Sequence, residues 1–154
     1  MPTLKSRIII GADHAGVALK SYLVSRLAKK GYVVKDVGSY DKHAEDDYPD
    51  VAVKVARHVA TAPRSRGILI CGTGTGMVIA ANKIPGIRAA LCYDAYSARM
   101  AREHNDANVL TLRGRNFSKS RAWKITKIWL AIPFSSKARH LRRIKKIARL
   151  DVKR

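Results

Sequence analysis

Acidic residues are scarce in this chain. Eleven Asp and Glu stand against 31 Lys and Arg, for a net charge of +20. Residues 113–154 hold 15 of those 31 cations and one acid, Asp151. So lopsided a stretch cannot present an acidic surface, and it points to an anionic partner: a phosphorylated substrate, a nucleic acid or an acidic surface. A solvated basic face that only aids solubility is the plain alternative. Cysteine is scarce too. Cys71 and Cys92 have no metal-ligand spacing, which argues against a zinc module or a disulfide framework and fits reduced thiols in the cytoplasm. No metal site is expected. Apolar runs of membrane-spanning length are lacking, and the first strand begins near Arg7 without an apolar leader ahead of it. Repeats, linkers and low-complexity tracts are also missing. With 154 residues, 47% of them hydrophobic, the chain is expected to form one globular domain over 1–154.

The stretch 67–77, Gly-Ile-Leu-Ile-Cys-Gly-Thr-Gly-Thr-Gly-Met, organises the rest. Ile68, Leu69 and Ile70 form the short apolar run of a buried strand. Gly72-Thr73-Gly74-Thr75-Gly76 follows, and then Met77 to Ala81 read as a packed helix. A strand, a glycine loop and a helix gather free amides at one place, and glycine lets a ligand approach the backbone. The loop lacks both the Gly-Lys-Ser/Thr of a phosphate-binding P-loop and the spacing of a dinucleotide fingerprint. It therefore reads as an anion-tolerant pocket with Cys71 at its entrance, or as a tight turn above a buried thiol.

The remaining chain alternates. A strand opens at Arg7-Ile-Ile-Ile and ends in a turn carrying Asp13 and His14. Leu19, Leu23 and Leu27 stripe a helix that Gly31 stops. Val33, Val34 and Val37 make a second strand. Pro49 opens a helix striped by Val51, Val55 and Val59. Strands are expected at 87–92 and 108–112, with a short helix at 96–102 between them. Ser118 caps a helix through Ala122, Ile125 and Trp129 that Pro133 breaks. Leu141, Ile144 and Ala148 stripe a basic final helix at about 136–149. Cys92 and the two tryptophans, Trp123 and Trp129, are expected in the core. This alternation predicts an α/β fold, a five-stranded parallel sheet covered on both faces. Ligands then bind beyond the carboxyl ends of its strands. His14, Cys71 and Arg115 follow strands one, three and five and share that edge. His104 precedes strand five and falls at the opposite edge, so a site using both His104 and Cys71 draws on two chains.

Gly11-Ala-Asp-His14, Asp47-Tyr-Pro-Asp50, Ile70-Cys-Gly-Thr-Gly-Thr-Gly76, Ala80-Ala-Asn-Lys83, Gly86-Ile-Arg-Ala89, His104-Asn-Asp-Ala-Asn-Val109 and Arg139-His-Leu-Arg-Arg143 occur in this order. Together they resemble ribose-5-phosphate isomerase type B, a family that includes allose- and galactose-6-phosphate isomerases. The resemblance runs from about Arg7 to the final helix. It implies a three-layer, Rossmann-like α/β/α sandwich, a homodimer or higher assembly, and aldose–ketose isomerisation without a cofactor. By position, Cys71 matches the catalytic base, with Thr73 beside it. Gly72, Gly74, Thr75 and Gly76 match the loop that holds the developing anion. His104 matches the residue that assists ring opening, and Asn105 its neighbour in substrate binding. Asp13, His14 and Tyr48 match substrate-site positions, and Arg115, Arg139 and Arg143 join His14 around the phosphate. Two departures add positive charge: Arg113 stands near a position where the family carries glycine, and Ser136, Lys137 and Ala138 replace acidic or glycine-rich residues.

The residue types suit that chemistry. Moving a proton between neighbouring carbons through an enediolate needs a base beside a weakly acidic C–H and donors for the oxyanion. A thiol with a pKa of about 8.5 is easily activated near cations. Histidine suits ring opening because it titrates near neutrality. Arg139 and Arg143 lie four apart on one helix face, and guanidinium forks fit phosphate oxygens. The expected reaction interconverts ribose 5-phosphate and ribulose 5-phosphate. A 6-phosphohexose is the alternative substrate. A polyanion- or nucleic-acid-binding protein on this fold is the alternative of another class, motivated by the basic half.

Overall fold

The computed structural model describes residues 5–151. Five parallel strands form one sheet: β1 (Ile8–Ala12), β2 (Val34–Asp36), β3 (Arg66–Cys71), β4 (Ala89–Leu91) and β5 (Val109–Arg113), in the spatial order β2-β1-β3-β5-β4. The three central strands are nearly continuous apolar runs because both of their faces are covered.

Helices α1 (Val17–Lys29), α4 (Ala95–Glu103) and α5 (Lys119–Ala131) pack Leu23, Leu27, Ala98, Ile125 and Trp129 on one face, against Ile8, Ile10, Ile68, Ile70 and Leu110. Helices α2 (Tyr48–Thr61) and α3 (Thr75–Ala81) pack Val51, Val55 and Met77 on the other, against Ile9, Leu69 and Val109. Crossovers running toward β2 carry their helix on the first face, and those running toward β4 carry it on the second. All four connections thus share one hand, as parallel sheets require. This is the parallel sheet covered on both faces that the alternation predicts, and the three-layer, Rossmann-like sandwich that the resemblance implies.

Local signals set the element ends. Gly31 stops α1 at φ +80°, its N–H donating to Ala28 O at 2.8 Å. Ser118 caps α5, its Oγ accepting from Arg121 N–H at 3.2 Å. Two expected strands are shorter than their apolar runs. β2 lies at a sheet edge, and Val33 is exposed ahead of it. β4 is the other edge strand. Ile87 is buried but stands in a turn, where its N–H bonds Ile84 O.

The final helix, α6 (Ala138–Ala148), departs most from expectation. Its stripe of Leu141, Ile144 and Ala148 does not join the core, and Leu141, Ile147 and Leu150 are exposed. Only His140 on this helix is buried. The apolar spacing is real, but among the described residues much of that face stays exposed.

Candidate functional site at the two edges of the sheet

β1 and β3 are neighbours, yet the chain leaves β1 toward β2 and leaves β3 toward β4. Their carboxyl ends therefore flank the switch point at which open α/β sheets hold ligands. Beyond β1, buried Asp13 caps the single 3₁₀ turn His14–Gly16, its Oδ1 accepting from Ala15 N–H at 2.9 Å. Burial raises the Asp13 carboxyl above the usual 3.8, outweighing the pull of the Ala15 amide and of His14. His14 donates from its backbone N–H (3.0 Å) and its Nδ1 (2.8 Å) to a single oxygen, Oδ1 of Asp46. A carboxylate only accepts, so Nδ1 carries the proton. Burial would raise the Asp46 carboxyl, but the His14 amide and ring together hold it below 3.8.

Beyond β3, the sulfur of buried Cys71 accepts from Gly74 N–H at 3.2 Å. Gly74 has φ +81°, and a side chain there would also collide with Leu91 and the backbone of Leu112. Gly76 lies under the ring of Tyr48: a methyl at this position would stand 2.5 Å from the ring. Exposed Thr73 accepts from Thr75 N–H through Oγ1. Beyond β5, Arg115 N–H bonds Gly72 O at 3.2 Å, and a methyl at Gly72 would meet the Arg115 guanidinium at 3.4 Å. Arg113 fastens this turn by donating from Nε to Arg115 O at 2.7 Å. Gly114 N–H bonds Cys71 O, and a methyl there would stand 2.8 Å from Ala15 O. Asp13, His14, Tyr48, Cys71, the loop 72–76 and Arg115 therefore form one continuous surface.

The other expected residues lie elsewhere. His104 caps the end of α4, and Asn105 O and Asp106 O accept from Arg88 just ahead of β4. This is the amino edge, where the topology puts His104. Ser135 N–H bonds Glu103 O at 3.0 Å, bringing the start of α6 onto the same corner. The His140 and His104 rings stack with centroids 4.3 Å apart. Arg139 and Arg143 thus stand with His104 and not, within one chain, beside His14 and Arg115. They ride on α6, which docks at the amino edge, so the phosphate grouping expected from the sequence is split in two.

Several contributors escaped sequence reading. Asp46 sits in a polar loop, and nothing in its spacing marks it as the partner of a residue 32 positions away. His140 and Ser135 lie beside recognisable residues but carry no periodic signal. Gly114, one position after Arg113, makes a close backbone approach that a side chain would block. Cys92 is buried as expected, and burial pushes its thiol up to about 12. No group of three or more His, Cys, Asp or Glu among the described residues could hold a metal ion. No helix among them is long and apolar enough to cross a membrane.

Fold and carboxyl edge together define a doubly wound α/β protein with a candidate small-molecule site at its switch point. Residues 8–147 match the ribose/galactose isomerase family, and the chain belongs to that family of aldose–ketose isomerases. It is 40% identical over 148 residues to ribose-5-phosphate isomerase B of Escherichia coli, covering 96% of this chain and 98% of the relative. It is 46% identical over 128 residues to D-erythrulose-4-phosphate isomerase of Pectobacterium atrosepticum, covering 82% and 84%. The solved structure of ribose-5-phosphate isomerase B from Clostridium thermocellum superposes with a TM-score of 0.90 at 47% identity, covering 94% and 97%.

Proposed function

We propose that this isomerase interconverts ribose 5-phosphate and ribulose 5-phosphate through an enediolate, with Cys71 as the base. The observation that carries the reading is the Cys71 sulfur under the glycine loop, with Gly74 N–H aimed at it. That amide supports negative charge on the sulfur, so it is not a donor for substrate. The amides of Gly72, Thr73 and Gly76 are left for the oxyanion. The thiolate takes the proton from the carbon beside the carbonyl and returns it to the neighbouring carbon as the enediolate collapses. Thr73 and Thr75 flank this step, and Tyr48 closes over Gly76.

Ring opening precedes it: His104 takes the anomeric hydroxyl proton and a proton reaches the ring oxygen, with Asn105 beside the sugar. His14, through the nitrogen left free by Asp46, joins Arg115, Arg139 and Arg143 on the phosphate, and Asp13 orders the turn beneath. The two residue groups lie at opposite edges of one chain, so this reading requires a homodimer in which each site takes one group from each subunit. The uncovered apolar face of α6 suits such a contact. Two free thiols suit a reducing cytoplasm.

The relative named for D-erythrulose 4-phosphate favours a second reading within the same chemistry, a shorter sugar. The nucleic-acid reading gains no aromatic support, because Trp123 and Trp129 are buried in the core as expected. The test is isomerisation of ribose 5-phosphate by the purified protein, with Cys71→Ala alongside and four- and six-carbon sugar phosphates compared. The expected result is the highest kcat/KM on the pentose and at least a ~1000-fold loss in the folded variant. A parent-like Cys71→Ala chain removes the thiol from its role, and a higher kcat/KM on another sugar reassigns the substrate.

A further inference from the structure

His140 has no part in the reaction as described so far, yet it is the most buried residue of α6, only 1% exposed. Both of its ring nitrogens are engaged. Arg139 Nε, which can only donate, lies 3.2 Å from Nε2. Nε2 is therefore the acceptor, the ring is neutral, and the proton sits on Nδ1. From there it is donated to Ser135 Oγ at 2.6 Å. The backbone N–H of Ser135 donates to Glu103 O, the carbonyl immediately before His104. Finally, the His140 ring stacks on His104 at 4.3 Å with a 38° tilt.

The His104 side chain has little else to hold it. Its nearest charged partner is Glu103, with Oε1 3.9 Å from Nε2, beyond hydrogen-bond range. Its orientation therefore rests on the His140 face. We infer that His140 is a positioning residue which sets the ring of His104 by stacking and the guanidinium of Arg139 by accepting its Nε–H, so that the ring-opening group and a phosphate-binding group keep a fixed relation. The groups facing it agree with a neutral ring: burial, His104, Arg139, Arg143 and Lys137 all lower its pKa below 6.5. The inference rests on the roles proposed above for His104 and Arg139.

The two functions of the ring separate by mutation. His140→Phe keeps a flat ring against His104 and loses the acceptor. His140→Gln keeps an acceptor near the Nε2 position and loses the stack. With ribose 5-phosphate as substrate, His140→Phe is expected to raise KM about tenfold with kcat within about twofold, as for a lost hydrogen bond to a charged group. His140→Gln is expected to lower kcat about tenfold or more with a smaller change in KM, as for a misaligned acid–base group. In a His104→Ala background the kcat effect of His140→Gln should vanish. Ser135→Ala, which leaves the ring in place, should show a weaker form of the Gln pattern.

Equal losses in both His140 variants, or a kcat effect of His140→Gln that persists without His104, overturn the proposal in favour of a merely structural role. So does a normal loss in His104→Ala with both His140 variants and Ser135→Ala unchanged. A His104→Ala chain of parental activity instead overturns the reading of His104 on which the inference stands.

Discussion

The carboxyl edge and the amino edge of this sheet treat histidine in opposite ways. His14 is paired: one carboxylate oxygen of Asp46 receives both its backbone N–H and its ring N–H. His140 sits among Lys137, Arg139 and Arg143, with a hydroxyl and a guanidinium as its hydrogen-bonding partners. The first arrangement gives the ring a carboxylate acceptor, whereas burial and the surrounding cations hold the second below 6.5. The edges also differ in completeness. Around β1 and β3, side chains close over one another, as Tyr48 does over Gly76 and Arg115 over Gly72. Around α6, basic side chains are exposed, and so, in large part, are Leu141, Ile147 and Leu150. Among the described residues, one edge is closed over by side chains and the other leaves apolar side chains exposed.

The largest expected effect falls on the carboxyl edge. Lys20 is 1% exposed and reaches Asp36 at 2.6 and 2.7 Å, with the ring of Tyr40 over its ammonium. Asp36→Ala would strand a buried charge, and urea unfolding should show a loss of about 3–5 kcal/mol. An exposed α6 charge such as Lys146, treated the same way, should cost within about 0.5 kcal/mol.

Gly76→Ala comes next. The added methyl must displace the Tyr48 ring, and a displacement on this scale should cut kcat/KM about 100-fold while the fold survives. Asp46→Asn follows, keeping the shape but removing the charge behind His14. KM for the sugar phosphate should rise about tenfold, because a charged hydrogen bond becomes a neutral one. An unchanged KM would mean that His14 does not depend on its partner.

The smallest effect concerns pH. The native pKa of His140 lies below 6.5, so between that value and 6.5 the unfolded chain binds the extra proton. The stability contribution is complete above 6.5 and is lost as pH falls through the native value. Asp46 behaves in the same sense from 3.8 downward. Thermal melts from pH 7.5 to 5.5 should therefore show a fall in Tm that shrinks in His140→Phe and persists in Asp46→Asn.

Much of this was legible in the residues. The run Ile68-Leu69-Ile70 is the central strand because a strand covered on both faces needs no alternation. The order of apolar stripes was enough to place His14 and Cys71 at one edge and His104 at the other. What stayed hidden was contact at long separation. Asp46 reaches His14 across 32 residues, and no periodicity reports such a pairing. The stripe on α6 was visible, but periodicity says only that a face is apolar and not what covers it. For the same reason Arg139 and Arg143 could be assigned to a phosphate without showing that their own chain holds them away from His14.

If the two edges meet across a subunit boundary, two inactive chains should complement one another when mixed. Cys71→Ala and His104→Ala would each be purified as an inactive protein, dissociated together and allowed to reassociate. In each mixed dimer one site carries both defects and the other carries neither. Random pairing should then restore about a quarter of the parental ribose 5-phosphate isomerase activity. Verified mixed dimers with no recovered activity would show that Cys71 and His104 do not meet across a subunit boundary.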